Sequence, residues 1–265
     1  KLVGTDPSQI VFTSGSTGAP KGIVNCHQTI INCLYAGDGA EEEKLTSQYF
    51  AAHCSRVLID QQLAFVILAA PLYMALLNGR TAVMATEEEM QTPGALAACI
   101  RRTGVDTLFG IYSLYSRYLN DPAFAAALKG IKLLAIGGER MKPTQRDLFL
   151  DATDAALYSG YGSSETFFTM DSHPRRGETQ NHFEAVPGVD VYLLEEGSDN
   201  PVMDGEIGEI CICGSGAIGY YWNDQALNAQ KFVRHPRYGR MFRTGDLARR
   251  GYDVTVFQAL HVAGG

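Results

Sequence analysis

Residues 9–22 read QIVFTSGSTGAPKG: an apolar run of strand length, 9–13, passes directly into a Ser/Thr/Gly loop that closes on Pro20-Lys21-Gly22. The β-branched and aromatic residues of the run predict a buried strand. The loop's small residues let backbone N–H groups approach an anion closely, its hydroxyls add donors and its lysine adds positive charge, which together describe a phosphate cradle. A flexible linker fits less well, because linkers rarely follow a buried strand and rarely hold an embedded Pro-Lys-Gly. A Walker-type P-loop does not fit either. Counting from Gly15, the second glycine of G-x4-G-K-[ST] falls on Pro20, and the residue after Lys21 is Gly22.

Outward from this stretch, strand-like runs recur at RVLI (56–59), TAVMA (81–85), DTLFG (106–110), KLLAIGG (132–138) and ALYSGYG (156–162). Between them HQTIINCLYAG, LAFVILAAPLYMALLNG, GALAACIRRTG, SLYSRYLNDPAFAAALKG and PTQRDLFLDAT carry helical apolar spacing. Strands alternating with helices predict an α/β fold, a parallel-rich sheet covered on both faces, with ligands at the carboxyl ends of its strands. From about Gly177 the texture changes to VPGVDVYLLEE, NPVMDGEIGEICICG and RMFRTGDLARRG, with frequent turn signals, which predicts a β-rich, barrel-like part. The expected division is an α/β part at 1–175, a β-rich part at 176–250 and an atypical tail at 251–265.

The 265 residues are 46% apolar, 10% aromatic and 19% charged, enough to bury a sizeable core and incompatible with whole-chain disorder or coiled coil. The longest apolar stretch, residues 63–77, contains Pro71 and is shorter than the roughly 20 residues that span a bilayer, so no membrane partner is expected. The formal charge is −7 and the basic residues are scattered, which argues against a nucleic-acid polymer. Six cysteines show no pairing pattern, and Cys211 and Cys213 alternate with Ile in EICICG as on one face of a strand. They read as buried thiols of a reducing, cytoplasmic compartment. No Cys or His spacing matches a structural zinc site. The chain opens KLVGTDPSQ, without an initiator Met or signal peptide, and reads as a piece of something longer.

TSGSTGAPKG resembles the phosphate loop of adenylate-forming enzymes, the superfamily of nonribosomal peptide synthetase adenylation domains, acyl-CoA and aryl-CoA synthetases and luciferases. IGGERM (136–141), YGSSET (161–166), GEIGEICICGSGAIGYYWNDQALNAQKF (205–232) and YGRMFRTGDLARR (238–250) follow in the family's order, so the resemblance spans roughly residues 8–250. It implies the large N-terminal part of such a domain, with ATP and Mg²⁺ as cofactors. Thr13, Ser14, Gly15, Ser16, Thr17, Gly18 and Lys21 would handle the β and γ phosphates. Tyr161, followed by Gly162 and Ser163, would lie against the adenine, which Gly137, Gly138 and Glu139 would border. Glu165 would hold the Mg²⁺, with Thr17 and Thr166 assisting at the metal and the α-phosphate. Asp246 would accept hydrogen bonds from both ribose hydroxyls. Thr17, Lys21 and Glu165 are thus the expected catalytic groups, and the implied reaction joins a small carboxylic acid to AMP with loss of pyrophosphate. Attack of one anion on another needs charge neutralisation and alignment more than acid–base chemistry.

Amino-acid-activating members place an aspartate near the end of a segment resembling R-V-L-(x)6-F-D, eight residues before a helical M-A-L-L. Here Arg56-Val57-Leu58 and Met74-Ala75-Leu76-Leu77 fix the register from both sides, and the position falls on Val66, after Phe65. Asp60 would need a six-residue shift and is rejected. An ammonium without a counter-ion in an apolar pocket is poorly tolerated. With Ile67, Ala70, Phe109, Ala135, Gly160 and Phe168 as further walls, the pocket resembles those for α-keto or aryl acids. The implied acceptor is a carrier-protein phosphopantetheine thiol. A CoA ligase and an ATP-binding fragment without turnover are the alternatives. The family's G-R-x-D hinge and its C-terminal domain with a catalytic lysine are not found. The tail instead resembles the second strand of a dinucleotide-binding flavoprotein with Gln258 where an acid is usual, and G-x-G-x-x-G at 214–219 lacks a following helix.

Overall fold

The computed structural model describes residues 1–13, 20–35, 45–60, 66–139, 141–178, 182–250 and 257–261, with backbone alone at 66–68, 250 and 257–261. The chain forms two compact units that interleave along the sequence. One comprises Leu34–Gly160 and Ser172–Asn181; the other comprises Lys1–Cys33, Tyr161–Asp171 and His182–Gly265.

The first, parallel unit is built on strands Arg56–Ile59, Thr81–Met84, Thr107–Gly110, Leu133–Gly137 and Ala156–Ser163, the last running on into the other unit. In space the second lies outside the first, and the remaining three follow on the other side, all parallel. Winding therefore reverses between Arg56–Ile59 and Thr107–Gly110, and a crevice opens at the carboxyl ends of strands at such a reversal. Leu58, Leu108, Leu134, Ile136 and Leu157 point to one face, where they pack with Leu96, Ile100, Phe124 and Phe149 from the helices. Each such burial is worth about 2 kcal/mol relative to exposure. Phe109, Ala135 and Tyr158 are aligned in register on intervening positions and so look to the opposite face.

The helices of this unit follow their end signals. Thr92 caps Pro93–Thr103 by accepting from the Ala95 N–H, and Gly104 ends it at φ 65°. The helical pattern predicted over SLYSRYLNDPAFAAALKG is two helices, Tyr112–Tyr118 and Pro122–Leu128. The break has a local cause: Asp121 accepts from the Ala123 and Phe124 N–H groups, and Pro122 takes the first helical position, where its missing N–H costs nothing.

The second unit is antiparallel, and here the expectation for residues 9–13 is corrected. Their strand, Pro7–Thr13, does not join the parallel sheet. It pairs antiparallel with Lys21–Cys26, which pairs on its other side with Tyr220–Tyr221. Nor is it a buried strand, since Ile10 is 44% and Phe12 64% exposed. Alternation places only Val11 in the core, a pattern that an apolar pentapeptide does not reveal.

A second sheet runs Val189–Leu194, Ile207–Gly214, Gly239–Arg250, Phe232–His235, all antiparallel. Cys211 and Cys213 share one face of it with Leu194 and Met241, as their alternation predicts, and all six thiols are free and buried. The tail contributes strand Phe257–His261, paired antiparallel with the end of Gly239–Arg250. A dinucleotide-binding domain would set such a strand in a parallel sheet, so the tail's resemblance to one does not extend to topology. Among the described residues no helix is long and apolar enough to cross a membrane.

Candidate functional site

In the antiparallel unit, Thr13 and Lys21 face each other across the hairpin and fix both ends of the Ser/Thr/Gly loop. Ser14, Gly15, Ser16, Thr17 and Gly18 lie outside the described residues, as does Phe65 in the other unit.

Residues 161–167 make a tight reversal between two strands. A Cβ on Gly162 would stand 1.8 Å from the Phe167 carbonyl oxygen, so only glycine fits there. Phe167 itself holds φ 60°, a strained value for a bulky side chain. Within the turn the Ser163 N–H donates to Thr166 Oγ1, and the Glu165 N–H to Ser163 Oγ. The Asn25 side-chain amide donates to the Ser164 carbonyl at 2.9 Å and ties the turn to the hairpin.

Glu165 leaves this turn with Oε1 accepting from the Tyr221 hydroxyl at 2.7 Å, while Oε2 takes no hydrogen bond from the described residues. Tyr221 is held at its backbone by Asn228, which accepts from its N–H and donates to its carbonyl. Burial, then the Glu165 charge, raises the Tyr221 hydroxyl well above the usual phenol range, so it remains a donor. Among the described residues no cluster of three or more His, Cys, Asp or Glu is placed to hold a metal.

Tyr161 and Asp246 meet in the same unit. The tyrosine hydroxyl donates to Asp246 Oδ2 at 2.7 Å, and the ring packs edge-on to Phe183. Burial first, and the Asp246 charge second, hold the Tyr161 hydroxyl protonated. Asp246 sits on an irregularity of the long strand: Glu209 pairs with Leu247 but Cys211 pairs with Arg243, so Thr244, Gly245 and Asp246 stand opposite Ile210 alone. Gly245 takes φ 85°, the left-handed conformation such a bulge requires.

In the parallel unit, Gly137 ends its strand beside Gly160, and Gly138 turns the chain at φ 78°. The Glu139 carboxylate accepts from the Ser113 N–H at 2.9 Å and the Ser113 hydroxyl at 2.8 Å, at the start of the Tyr112–Tyr118 helix. Its side chain thus serves a helix start, a use the sequence does not show. Ala135 and Phe109 are register neighbours on the face away from the main core, Ala70 is buried, and Val66 opens helix Val66–Leu77. Ile67 is in the same helix, and Phe168 falls on strand Phe167–Ser172 of the other unit. Asp60 is engaged elsewhere, its Oδ2 accepting from the Tyr115 hydroxyl at 2.7 Å.

Sequence reading left three residues of this region without a role: Tyr221, Glu209 and Arg243. All lie inside quoted motifs, but their use depends on partners between 34 and 56 positions away, which no local pattern encodes.

With this geometry the class follows. The pattern of the AMP-binding enzymes matches residues 1–222, and the chain belongs to that family. Within it, the chain is 32% identical over 254 residues to Gramicidin S synthase 2 of Aneurinibacillus migulanus, a match covering 92% of this chain and 5% of that protein. It is 30% identical to the Dimodular nonribosomal peptide synthase of Bacillus subtilis (strain 168), covering 92% of this chain and 10% of that one. The chain therefore spans a small fraction of these relatives' length. Among solved structures, PA1221, an NRPS protein containing adenylation and PCP domains, superposes with a TM-score of 0.84 at 25% identity, over 100% of this chain and 53% of that one. The Klebsiella oxytoca NpsA N-terminal subdomain in complex with 3-hydroxybenzoyl-AMSN shares the fold at a TM-score of 0.79 and 23% identity, over 98% of this chain and 65% of that one.

Proposed function

We propose that this chain activates a small carboxylic acid with ATP, giving an acyl-adenylate and pyrophosphate, for transfer to a carrier-protein phosphopantetheine thiol. The observation that carries this reading is the bulge at Thr244–Asp246. It holds a buried carboxylate by protein hydrogen bonds at a glycine-enabled turn, an arrangement suited to a ligand rich in hydroxyls such as a ribose. The relatives' names and the titles of the similar structures, one holding a carrier domain and one an acyl-AMP mimic, support the same reaction.

Residue by residue, Asp246 accepts from the ribose hydroxyls, and Tyr161 offers its ring to the adenine while its hydroxyl holds Asp246. Gly137 and Gly138 give close backbone approach to the base. Glu165, oriented by Tyr221, and Thr17 would hold Mg²⁺, which when bound neutralises phosphate charge. Thr13 to Gly18 and Lys21 restrain the β and γ phosphates, Ser163 and Thr166 line the turn beside the α-phosphate, and the substrate carboxylate attacks in line.

The acid is an α-keto or aryl acid rather than an α-amino acid. By the motif register Val66 takes the position at which an ammonium would need a carboxylate, and Asp60, six residues earlier in the chain, accepts from the Tyr115 hydroxyl. The acyl-side residues of the parallel unit that the motif register assigns, Ala70, Phe109, Ala135 and Gly160, are small or apolar and offer an ammonium no counter-charge. Free buried thiols fit a reducing cytoplasm. The test is ATP–pyrophosphate exchange over keto, aryl, hydroxy and amino acids. Exchange with keto or aryl acids is expected. Strong exchange with α-amino acids alone overturns the Val66 argument, and nucleotide binding without any exchange overturns turnover by this chain.

A further inference from the structure

Glu209 lies on strand Ile207–Gly214, two residues before Cys211 and on the opposite side of the irregularity from Asp246. It is 7% exposed, and both its oxygens are used. Oε2 accepts from Arg243 Nε at 2.9 Å and from Arg243 Nη2 at 2.6 Å, while Oε1 accepts from the Gly245 N–H at 3.0 Å. Two further donors of the bulge are held through Thr244. The Thr244 hydroxyl donates to the Ile210 carbonyl at 2.8 Å and accepts from the Asp246 N–H at 3.0 Å.

We propose that Glu209 is a positioning residue for nucleotide recognition: by bracketing Arg243 and Gly245 across the strand pair it holds the bulge that presents Asp246 to the ribose. The inference rests on the reading of Asp246 given above and adds the group that sets its place.

The physical grounds are two. A buried ion pair is weak evidence for stability, since apolar residues of the same volume often do as well, so the Glu209–Arg243 pair alone explains little. What an apolar pair could not supply is an acceptor for the Gly245 N–H, which the bulge withdraws from the ladder. Two more residues stand on the Arg243–Leu247 side than on the Glu209–Cys211 side. Without the bracket, the regular ladder is recovered by a slip of two positions, which moves the Asp246 carboxylate by roughly 7 Å along the strand. A hydrogen bond to a ribose hydroxyl tolerates a few tenths of an ångström.

The experiment is calorimetric binding of ATP and of 2′,3′-dideoxy-ATP to the chain and to its Glu209→Gln, Thr244→Val and Thr244→Ser variants, with thermal unfolding of each. The unaltered chain is expected to prefer ATP by about tenfold or more, the worth of charge-assisted hydrogen bonds to a carboxylate. Glu209→Gln keeps size and one acceptor but sets an amide against the guanidinium. It is expected to cut that preference to about twofold while dideoxy-ATP binding stays within about twofold. Thr244→Val should do the same and Thr244→Ser should restore the preference. If the unaltered chain shows no preference, the reading of Asp246 falls. If it does, and folded Glu209→Gln and Thr244→Val keep it, the bracket is overturned. Should Glu209→Gln fail to fold, the Thr244 pair decides.

Discussion

The two units position their candidate residues by different means. In the parallel unit the positions come from packing: the inner strands Arg56–Ile59, Thr107–Gly110 and Leu133–Gly137 are almost wholly buried, one face fills the core, and Phe109, Ala135, Gly137 and Gly160 are delivered to the other face by pleat and register. In the antiparallel unit they come from polar brackets: a turn cross-linked by hydroxyls at 163–166, a tyrosine on each of two carboxylates, and a bulge held by Glu209. Packing tolerates adjustment spread over many neighbours. A bracket fails when one atom is misplaced.

The largest expected effect that could break this contrast comes from glycine. Gly162→Ala drives a Cβ into the Phe167 carbonyl, and Gly110→Ala drives one to 2.3 Å from the Tyr115 ring. The first should cost more than about 3 kcal/mol in urea denaturation, since backbone cannot step aside, and the second about 2 kcal/mol, since a side chain can. The reverse order would show that the parallel unit is the more brittle.

Alkaline pH sharpens the contrast next. Burial pushes the Cys33, Cys211 and Cys213 thiols of the antiparallel unit up to about 12, and Cys54 of the parallel unit to about 11. A thiol raised on folding contributes stability that is complete below its unfolded value near 9 and is lost as pH rises toward the folded value. Unfolding free energy should therefore fall above pH 9, by about 1 kcal/mol per such thiol between pH 9 and 10. In the Cys211→Ala, Cys213→Ala double variant the slope measured by denaturant titration should shrink. An unchanged slope would place the alkaline weakness elsewhere.

The smallest effect is local. Asp121→Ala removes the acceptor of two N–H groups and should lower stability by about 1 kcal/mol, read as a shifted urea midpoint with unchanged slope.

Legibility in the sequence divides along the same line. RVLI, TAVMA, DTLFG, KLLAIGG and ALYSGYG are strands within a residue or two of their predicted ends; the inner ones are buried on both faces and so read as apolar runs, and TAVMA, at the sheet edge, is legible from its β-branched residues between turn signals. QIVFT has the same look and a different place, since nothing in five residues tells an antiparallel hairpin from a parallel strand. The break at Asp121-Pro122 stands in the sequence as a cap and a first-turn proline, and the apolar spacing alone runs straight through it. Motif order pointed to Tyr161, Glu165 and Asp246. Their neighbours Tyr221 and Glu209 stayed unread, because a hydrogen bond over dozens of residues leaves no periodic trace.

The interleaving of the units bears on how the chain acquires its structure. Hairpin Pro7–Cys26 takes its third strand from Tyr220–Tyr221, nearly two hundred residues later. During synthesis the Lys21–Cys26 edge of the hairpin must wait unpaired, while Leu34–Gly160 has the strands of its parallel sheet already at hand. Loop closure over such a span is slow, and exposed edges invite association with other chains. The third strand of the antiparallel hairpin sheet therefore joins across a far longer stretch of chain than any neighbouring pair in the parallel sheet.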